Sequence, residues 1–313
     1  MDNLCHTLVG AACGEAGLKR RTRFGNATLM IAANLPDVDV LVFATSAPSL
    51  AFRRGWTHGP IALALLPVAL TVVMWLIARA LPARDDSTPV RARGLLLLSY
   101  AGMLSHVALD LLNPYGLRIL APFDWRWFYG DTLFILDPWL WLALGVGVWL
   151  ARRRAAPAPA RRALVVAAIY IAAMAVAARA ARDIVVDAWR NEHGREPRAV
   201  MVGPLPVTPF GRDVVIDAGP HYQRGTFRWL PARVIFDPAT VPKNDADSRV
   251  SRAREASSLR GFLVWSRFPF WTFTPTAGGT RVTVRDMRFA GQTPARFEAS
   301  TVVPYSRTAP VTD

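Results

Sequence analysis

Histidine and aspartate residues stand inside the apolar segments of this chain, at spacings that can do chemistry. His106 and Asp110 lie four residues apart in "SHVALDLLNPYG", and Asp37 and Asp39 lie two apart in "NLPDVDV". Imidazole nitrogens and carboxylate oxygens are the ligands of hydrolytic metal ions such as Zn²⁺ and Mn²⁺. Ionisable groups are costly inside a membrane and indicate a functional site there by default. These residues therefore predict a metal centre.

The spacing of the two pairs suits different elements. Residues i and i+4 share one face of a helix, so His106 and Asp110 can supply two ligands from one rigid element. Asp37 and Asp39 would point apart in a strand, but in a turn or at a helix end both can reach one metal ion or bridge two. Each motif alone also has a plain explanation, as an ordinary His–Asp pair or as a turn, and only their combination favours a metal site.

The composition indicates that a membrane surrounds the elements that carry these residues. Of 313 residues, 52% are hydrophobic and only 19% are charged, which is too apolar for an ordinary soluble domain. The two weakest of the six apolar segments, the first and the second, suit half-spanning or re-entrant elements. We predict an α-helical membrane domain with about four to six membrane helices. The six segments are 4–18, 24–45, 59–81, 94–112, 136–151 and 163–180.

The charges of the loops predict the orientation in the membrane. Three alternate loops, 19–23, 79–93 and 152–162, hold 13 basic residues, whereas the intervening short loops hold 4. The positive-inside rule places the three basic loops in the cytoplasm. The N-terminus and everything after residue 180 then lie on the outer face. The His and Asp residues all fall at the segment ends away from the basic loops, so they converge on that outer face.

The character of the chain changes near residue 185, where Pro, Gly and Arg become frequent. Alternating β-branched and aromatic residues in "VVIDA", "YQRGTFRWL", "GFLVWSRF", "WTFTPT" and "TRVTVRDMRFA" predict strands, and 248–262 predicts one helix. We predict two domains: 1–182, membrane-embedded and helical with the metal site, and 183–313, extracytoplasmic and mostly β in an α+β arrangement. The net charge of +14 does not predict nucleic-acid binding, because the basic residues of the membrane domain lie in short loops.

Five blocks of residues, in order, resemble a known family. "MDNLCHTLVG", "ANLPDVDVL", "RRGWTHGP", "SHVALDLLNPYG" and "DTLFILDPW" are similar to successive blocks of the YdjM-like, membrane-bound, predicted metal-dependent hydrolases. The part after residue 183 resembles the C-terminal extension of some longer members. The resemblance implies a multi-pass protein of the bacterial inner membrane. It also implies a distant similarity to zinc-dependent phospholipase C and the single-strand nuclease fold, which is helical and holds several metal ions.

The resemblance also implies roles for individual residues. The implied metal ligands are His6, Asp37, Asp39, His58, His106 and Asp110. Asp137 and His58 are candidate catalytic groups, with Asp137 a proton donor or a support for the ligands. Asp2, Asn34 and Asn113 are further candidates to support the ligands through hydrogen bonds. Asp2 is also a candidate for a further metal ligand. Arg53 and Arg54 are candidate phosphate contacts, for which anchoring at the interface is the plain alternative.

The expected chemistry is hydrolysis of an ester, with a phosphoester favoured, by metal-activated water at the outer membrane face. The expected metal is Zn²⁺, with Mn²⁺ as the alternative, and the site is expected to bind more than one ion. The expected partners are the lipid bilayer and a small-molecule or lipid-like ester, and the sequence does not indicate an oligomeric state. The alternative is a non-enzymatic membrane protein, namely a metal-binding sensor, a transporter or a scaffold.

Overall fold

The computed structural model describes residues 1–45, 49–82, 88–290 and 297–305. The chain forms two compact units. The helical unit comprises Met1–Leu41, Arg53–Asp183 and Val202–Arg212, and the sheet unit comprises Val42–Phe52, Ile184–Met201 and Asp213–Asp313.

Helices dominate the chain up to residue 193. In chain order they are α1 (Asn3–Glu15), α2 (Gly25–Ala32), α3 (Ser49–Phe52), α4 (Pro60–Ala80), α5 (Ala92–Leu111), α6 (Pro138–Arg153) and α7 (Ala158–His193). Two short stretches of 3-10 helix, Leu18–Arg21 and Leu35–Ala44, flank α2.

Three of these helices, α4, α5 and α7, are long and apolar enough to cross a membrane. A fourth candidate is the pair formed by α2 and the 3-10 segment Leu35–Ala44, which is bent by 52° and suits a broken span or a re-entrant loop. The α1 and α6 helices have only 13 and 16 residues, fewer than the roughly 20 that span a bilayer. The described residues thus contain three or four candidate spans, and four is the lower end of the predicted range of four to six.

Aspartate caps and small residues shape the helical unit. Asp2 accepts hydrogen bonds from the backbone N–H groups of Leu4 and Cys5 at the start of α1. Gly10 of α1 faces the backbone of α2 so closely that a Cβ there would lie 2.8 Å from the Leu29 carbonyl oxygen. Gly102 brings α5 equally close to the end of α2, where a Cβ would lie 2.6 Å from Cβ of Ala32. These close approaches hold α1, α2 and α5 together.

The sheet unit contains two antiparallel sheets. The four-stranded sheet has the order β1-β2-β3-β4 and the three-stranded sheet the order β5-β6-β7. The strands are β1 (Ala199–Pro204), β2 (Gly211–Asp217), β3 (His221–Trp229), β4 (Ala232–Pro242), β5 (Pro269–Thr276), β6 (Gly279–Asp286) and β7 (Glu298–Pro304), with helices α8 (Ser248–Arg254) and α9 (Ser257–Trp265) between β4 and β5. In the second sheet, Trp271 of β5 pairs with Val284 of β6. The prediction of a helical membrane domain followed by a smaller, mostly β domain is confirmed.

Two local predictions in the sheet unit are wrong. The segment "GFLVWSRF" was predicted as a strand, but its first five residues belong to α9. The buried residues Leu259, Phe262 and Trp265 recur every third position, which is a helical spacing. The single helix predicted over 248–262 is two helices, because the backbone is extended at Ala256.

Candidate metal centre

Four side chains from three elements of the helical unit meet at one point. Asp37 lies on the 3-10 segment Leu35–Ala44, His58 lies just before α4, and His106 and Asp110 lie one turn apart on α5. One ligand atom from each lies within 4.8 Å of the others, and all four residues are buried. We call Asp37, His58, His106 and Asp110 the donor group.

The separations within the donor group match those around a metal ion. His58 Nε2 and His106 Nε2 are 3.2 Å apart. Asp110 Oδ2 lies 3.4 Å from His106 Nε2 and 3.6 Å from His58 Nε2, and Asp37 Oδ1 lies 3.9 Å from His106 Nε2. A tetrahedral ion with ligands at about 2.0–2.1 Å keeps them about 3.3 Å apart. His58, His106 and Asp110 therefore fit a single ion of this kind, whereas Asp37 lies farther out, at 3.9 Å from His106 Nε2 and within 4.8 Å of the others.

The hydrogen bonding of the donor group is incomplete without a cation. Asp37 Oδ1 and Asp110 Oδ2 are buried and accept no hydrogen bond within the described part of the chain. Each has an arginine nitrogen only at ion-pair distance, Arg53 at 3.6 Å and Arg54 at 3.3 Å. Unsatisfied buried polar atoms are costly and need an explanation. A metal ion bound by the donor group would satisfy both oxygens.

The backbone holds His106 in the required tautomer. His106 Nδ1 lies 2.7 Å from the carbonyl oxygen of Ala33, which can only accept a hydrogen bond. In the neutral imidazole the proton therefore sits on Nδ1, and Nε2 presents its lone pair to the donor group. Ala33 directly follows the last residue of α2, where the helix ends, so its carbonyl has no helical partner.

Asp39 lies behind His58 rather than within the donor group. Asp39 Oδ2 is 3.7 Å from His58 Nδ1, and the hydroxyl of Thr57 lies 2.9 Å from the same nitrogen. The Thr57 hydroxyl also donates to Asp39 Oδ2 at 3.3 Å. A carboxylate on the far nitrogen of a ligand histidine orients the ring and raises its basicity. Asp39 supports the His58 ring through the Thr57 hydroxyl, because its own oxygen is too far from Nδ1 for a hydrogen bond.

His6 adjoins the donor group through Asp110. Its Nε2 lies 3.3 Å from Asp110 Oδ1, and its ring stacks on that of His106 with centroids 3.8 Å apart. Both of its ring nitrogens are buried without a hydrogen bond in the described residues. The amino group of Met1 donates to the same Oδ1. The two oxygens of Asp110 therefore face two sets of polar groups, the donor group on one side and His6 on the other.

The two arginines next to the centre differ in how they are held. Arg54 is 5% exposed, donates to Asp110 and to Asn113 Oδ1 at 3.1 Å, and lies over the ring of Tyr115. Its backbone is left-handed, with φ of 56°. Arg53 has the more exposed side chain and donates from Nε to Asp39 at 3.2 Å. Arg54 is thus occupied in balancing the charge of Asp110.

The remaining predicted residues lie farther from the donor group. Asp137 caps α6 with one oxygen, and its other oxygen accepts from the hydroxyl of Tyr170 at 3.0 Å. None of its hydrogen bonds in the described residues joins it to the donor group. Asp2 caps α1 and accepts from the indole of Trp141. Asn34 donates to Thr7 and to the Met30 carbonyl.

Sequence reasoning did not find the Ala33 carbonyl, Thr57, Tyr115 or the Met1 amino group. Thr57 carried a usable signal, because a hydroxyl directly before a histidine can reach its Nδ1. The Ala33 carbonyl carried none, since every residue has one.

The fold and the donor group define a helical membrane protein that can hold a metal ion at the point where a broken helix meets α5. Residues 1–181 match the family model described as YdjM inner membrane protein, and the chain belongs to this family. The resemblance seen in the five sequence blocks is thereby confirmed. No curated protein and no solved structure matches the chain.

Proposed function

We propose that the chain is a metal-dependent hydrolase that cleaves a phosphoester. The observation that carries the proposal is the convergence of four buried donors with unsatisfied oxygens and with separations suited to one ion. Zn²⁺ is preferred to Mn²⁺, because two imidazoles in a small, four-donor set suit zinc. An ion held by His58, His106 and Asp110 would keep a fourth position for water, and it would polarise that water and stabilise negative charge during hydrolysis.

The residues around the donor group have distinct parts in this proposal. Asp39 and the Ala33 carbonyl fix the two imidazoles, so that both present Nε2 to the ion. Arg54 holds Asp110 and balances its negative charge. Arg53 is the better phosphate contact, because 23% of its side chain is exposed against 7% for Arg54. An arginine can grip two phosphoryl oxygens at once.

A second ion is part of the proposal. His6 Nε2 and Asp110 Oδ1 form a further pair of buried donors beside the donor group. A carboxylate that offers one oxygen to each side is the usual bridge in two-metal hydrolytic sites. His6 and Asp110 would thus hold the second ion, which would have to displace the Met1 amino group from Asp110 Oδ1.

Metal content tests the first part of the proposal. We expect detergent-purified wild type to carry Zn at one or two equivalents per chain, and a His106→Ala/Asp110→Ala variant to carry almost none. A His221→Ala/Asp183→Ala variant removes the same residue types outside the donor group and should match wild type. Equal metal content in wild type and the His106→Ala/Asp110→Ala variant would remove the basis of the proposal.

Turnover separates the enzyme from its alternatives. Metal-loaded wild type should hydrolyse a phosphodiester or a phosphomonoester reporter, and the double variant at His106 and Asp110 should not. If metal is bound and neither reporter is cleaved, the chain is a metal-binding sensor, transporter or scaffold instead.

We further propose that the donor group works at the outer membrane face and that the C-terminal domain is extracytoplasmic. The support is the 13-to-4 excess of basic residues in alternate loops. This orientation requires the short helices α1 and α6, of 13 and 16 residues, to cross the membrane as well. An alkaline phosphatase fused after residue 185 should be active in cells, and one fused after residue 155 should be inactive. The reverse pattern would place the site on the cytoplasmic face.

A further inference from the structure

Among the described residues, Asp37 is the one member of the donor group that retains exposed surface. Asp37 is 7% exposed, whereas His58, His106 and Asp110 are completely buried. Anything that approaches the donor group without a large rearrangement must therefore come past Asp37.

A groove of about 510 Å³ opens at that side and includes Asp37 in its lining. It lies between α1, α2 and the start of the 3-10 segment Leu35–Ala44. A volume of this size is typical of small-molecule sites. Its apolar lining is Met30, Ile31, Leu35 and Val38.

Asn34, a residue of the groove lining, has an acceptor atom without a hydrogen-bond donor. The amide of Asn34 gives both of its hydrogens away, at 2.9 Å to Thr7 Oγ1 and at 2.8 Å to the Met30 carbonyl. Its Oδ1 is buried and accepts no hydrogen bond in the described residues.

The mouth of the groove is apolar and belongs to a candidate membrane span. Ile31 and Val38 are 44% and 41% exposed, and the neighbouring Val40 and Leu41 are 47% and 65% exposed. All four lie on the bent pair formed by α2 and Leu35–Ala44. Apolar side chains that are exposed on a spanning element face lipid. If this pair lies in the bilayer, the groove opens toward hydrocarbon at one end and includes Asp37 of the donor group in its lining.

We propose that this groove admits the hydrocarbon chain of an amphiphilic phosphoester from the bilayer and brings its phosphate to Asp37. This inference rests on the proposed hydrolase function and names its substrate class. The alkyl chain packs on Met30, Leu35 and Val38. The phosphate then lies next to Arg53, which is 3.6 Å from Asp37.

Chain-length selectivity tests the groove. The substrates are nitrophenyl phosphodiesters with methyl to hexyl chains, below the concentrations at which they aggregate. We expect kcat/KM to rise about fourfold per methylene at most, from about 0.8 kcal/mol per buried CH₂. Partition into detergent is common to all variants, so the hexyl-to-methyl ratio is compared between variants rather than taken alone.

The hexyl-to-methyl ratio is compared between wild type, a variant that blocks the groove and a matched control. Val38→Trp fills the mouth of the groove and should lower the hexyl-to-methyl ratio about tenfold. Leu65→Trp places the same side chain at an exposed position of α4, away from the groove, and should keep the wild-type ratio. If all three proteins cleave the esters with the same ratio, the groove proposal is wrong and the hydrolase proposal stands.

A binding measurement covers the case in which no ester is cleaved. A hexyl phosphate with a diazirine at the chain end should label the peptide that contains residues 30–38 in wild type and in Leu65→Trp, and label it weakly in Val38→Trp. Such labelling without turnover would support the groove and overturn the hydrolase. Equal labelling of this peptide in all three proteins would overturn the groove.

Discussion

Gly102→Ala tests how closely α5 must approach the break after α2. A Cβ at position 102 would lie 2.6 Å from Cβ of Ala32, 2.8 Å from the Leu29 carbonyl oxygen and 2.9 Å from the backbone nitrogen of Ala33. Carbon atoms in contact are about 3.5–4.0 Å apart. The two elements must therefore separate by about 1 Å, since backbone atoms cannot rotate out of the way.

This separation removes the hydrogen bond that orients His106. His106 lies one turn after Gly102 on the same helix, and its Nδ1 is 2.7 Å from the Ala33 carbonyl oxygen. A displacement of about 1 Å lengthens that distance to about 3.7 Å, beyond a hydrogen bond. Loss of such an outer partner costs about 10- to 100-fold in metal affinity. The fold should survive, because overpacking costs about 1–3 kcal/mol and alanine returns up to about 1 kcal/mol of helix propensity.

Competition with a chelator measures the zinc affinity of wild type, Gly102→Ala and Gly145→Ala. Gly145 is also helical, but a Cβ there would meet nothing within 4 Å. Gly145→Ala should therefore bind zinc as wild type does. The reasoning fails if Gly102→Ala, folded by its thermal melt, binds zinc within about twofold of wild type.

Three further predictions concern other contacts. Asp39→Asn should weaken zinc binding about 10- to 100-fold, because His58 loses the carboxylate behind its Nδ1; an unchanged chelator competition curve would contradict this. Removal of metal should lower the melting temperature of the full chain, and added Zn²⁺ should restore it; a melt insensitive to both would contradict the metal site. In the sheet unit, burial alone would raise the pKa of Asp286, but the charge and hydrogen bonds of Arg288 outweigh it and hold that pKa below its usual value. The stabilisation is thus complete at neutral pH and is lost as the pH falls below about 4. Asp286→Asn should unfold more easily by about 3–5 kcal/mol at pH 7, followed by tryptophan fluorescence, and should lack this acid dependence; equal stability of both proteins at pH 7 would contradict it.

The sequence predicted the donor group because ionisable residues are conspicuous in apolar segments. His106 and Asp110 share a helix face at a spacing that any reader of the sequence can check. The different positions of Asp37 and Asp39 could not be predicted in this way. In a 3-10 helix, residues two apart point about 120° from each other, so one carboxylate faces the donor group and the other lies behind His58. The type of helix had to be known first.

The error in α9 has a different physical origin. A short apolar run with aromatic residues suits a buried strand and a buried helix equally well. Only the packing partners of Leu259, Phe262 and Trp265 decide between them. Those of Trp265 include Phe289 and Arg288, which come from another part of the sheet unit. Local pattern contains no information about such partners.

The Ala33 carbonyl has a consequence for how related metal centres are recognised. A main-chain oxygen is not encoded by any particular residue, so position 33 is free to change in evolution among residues small enough to leave α5 in place. Alignments that compare side chains will then miss one of the contacts that defines the centre. A better indicator is the geometry. One helix breaks opposite a glycine of its neighbour, and the neighbour carries a histidine one turn after that glycine. Homologues with a different small residue at this position can therefore share the same ligand orientation.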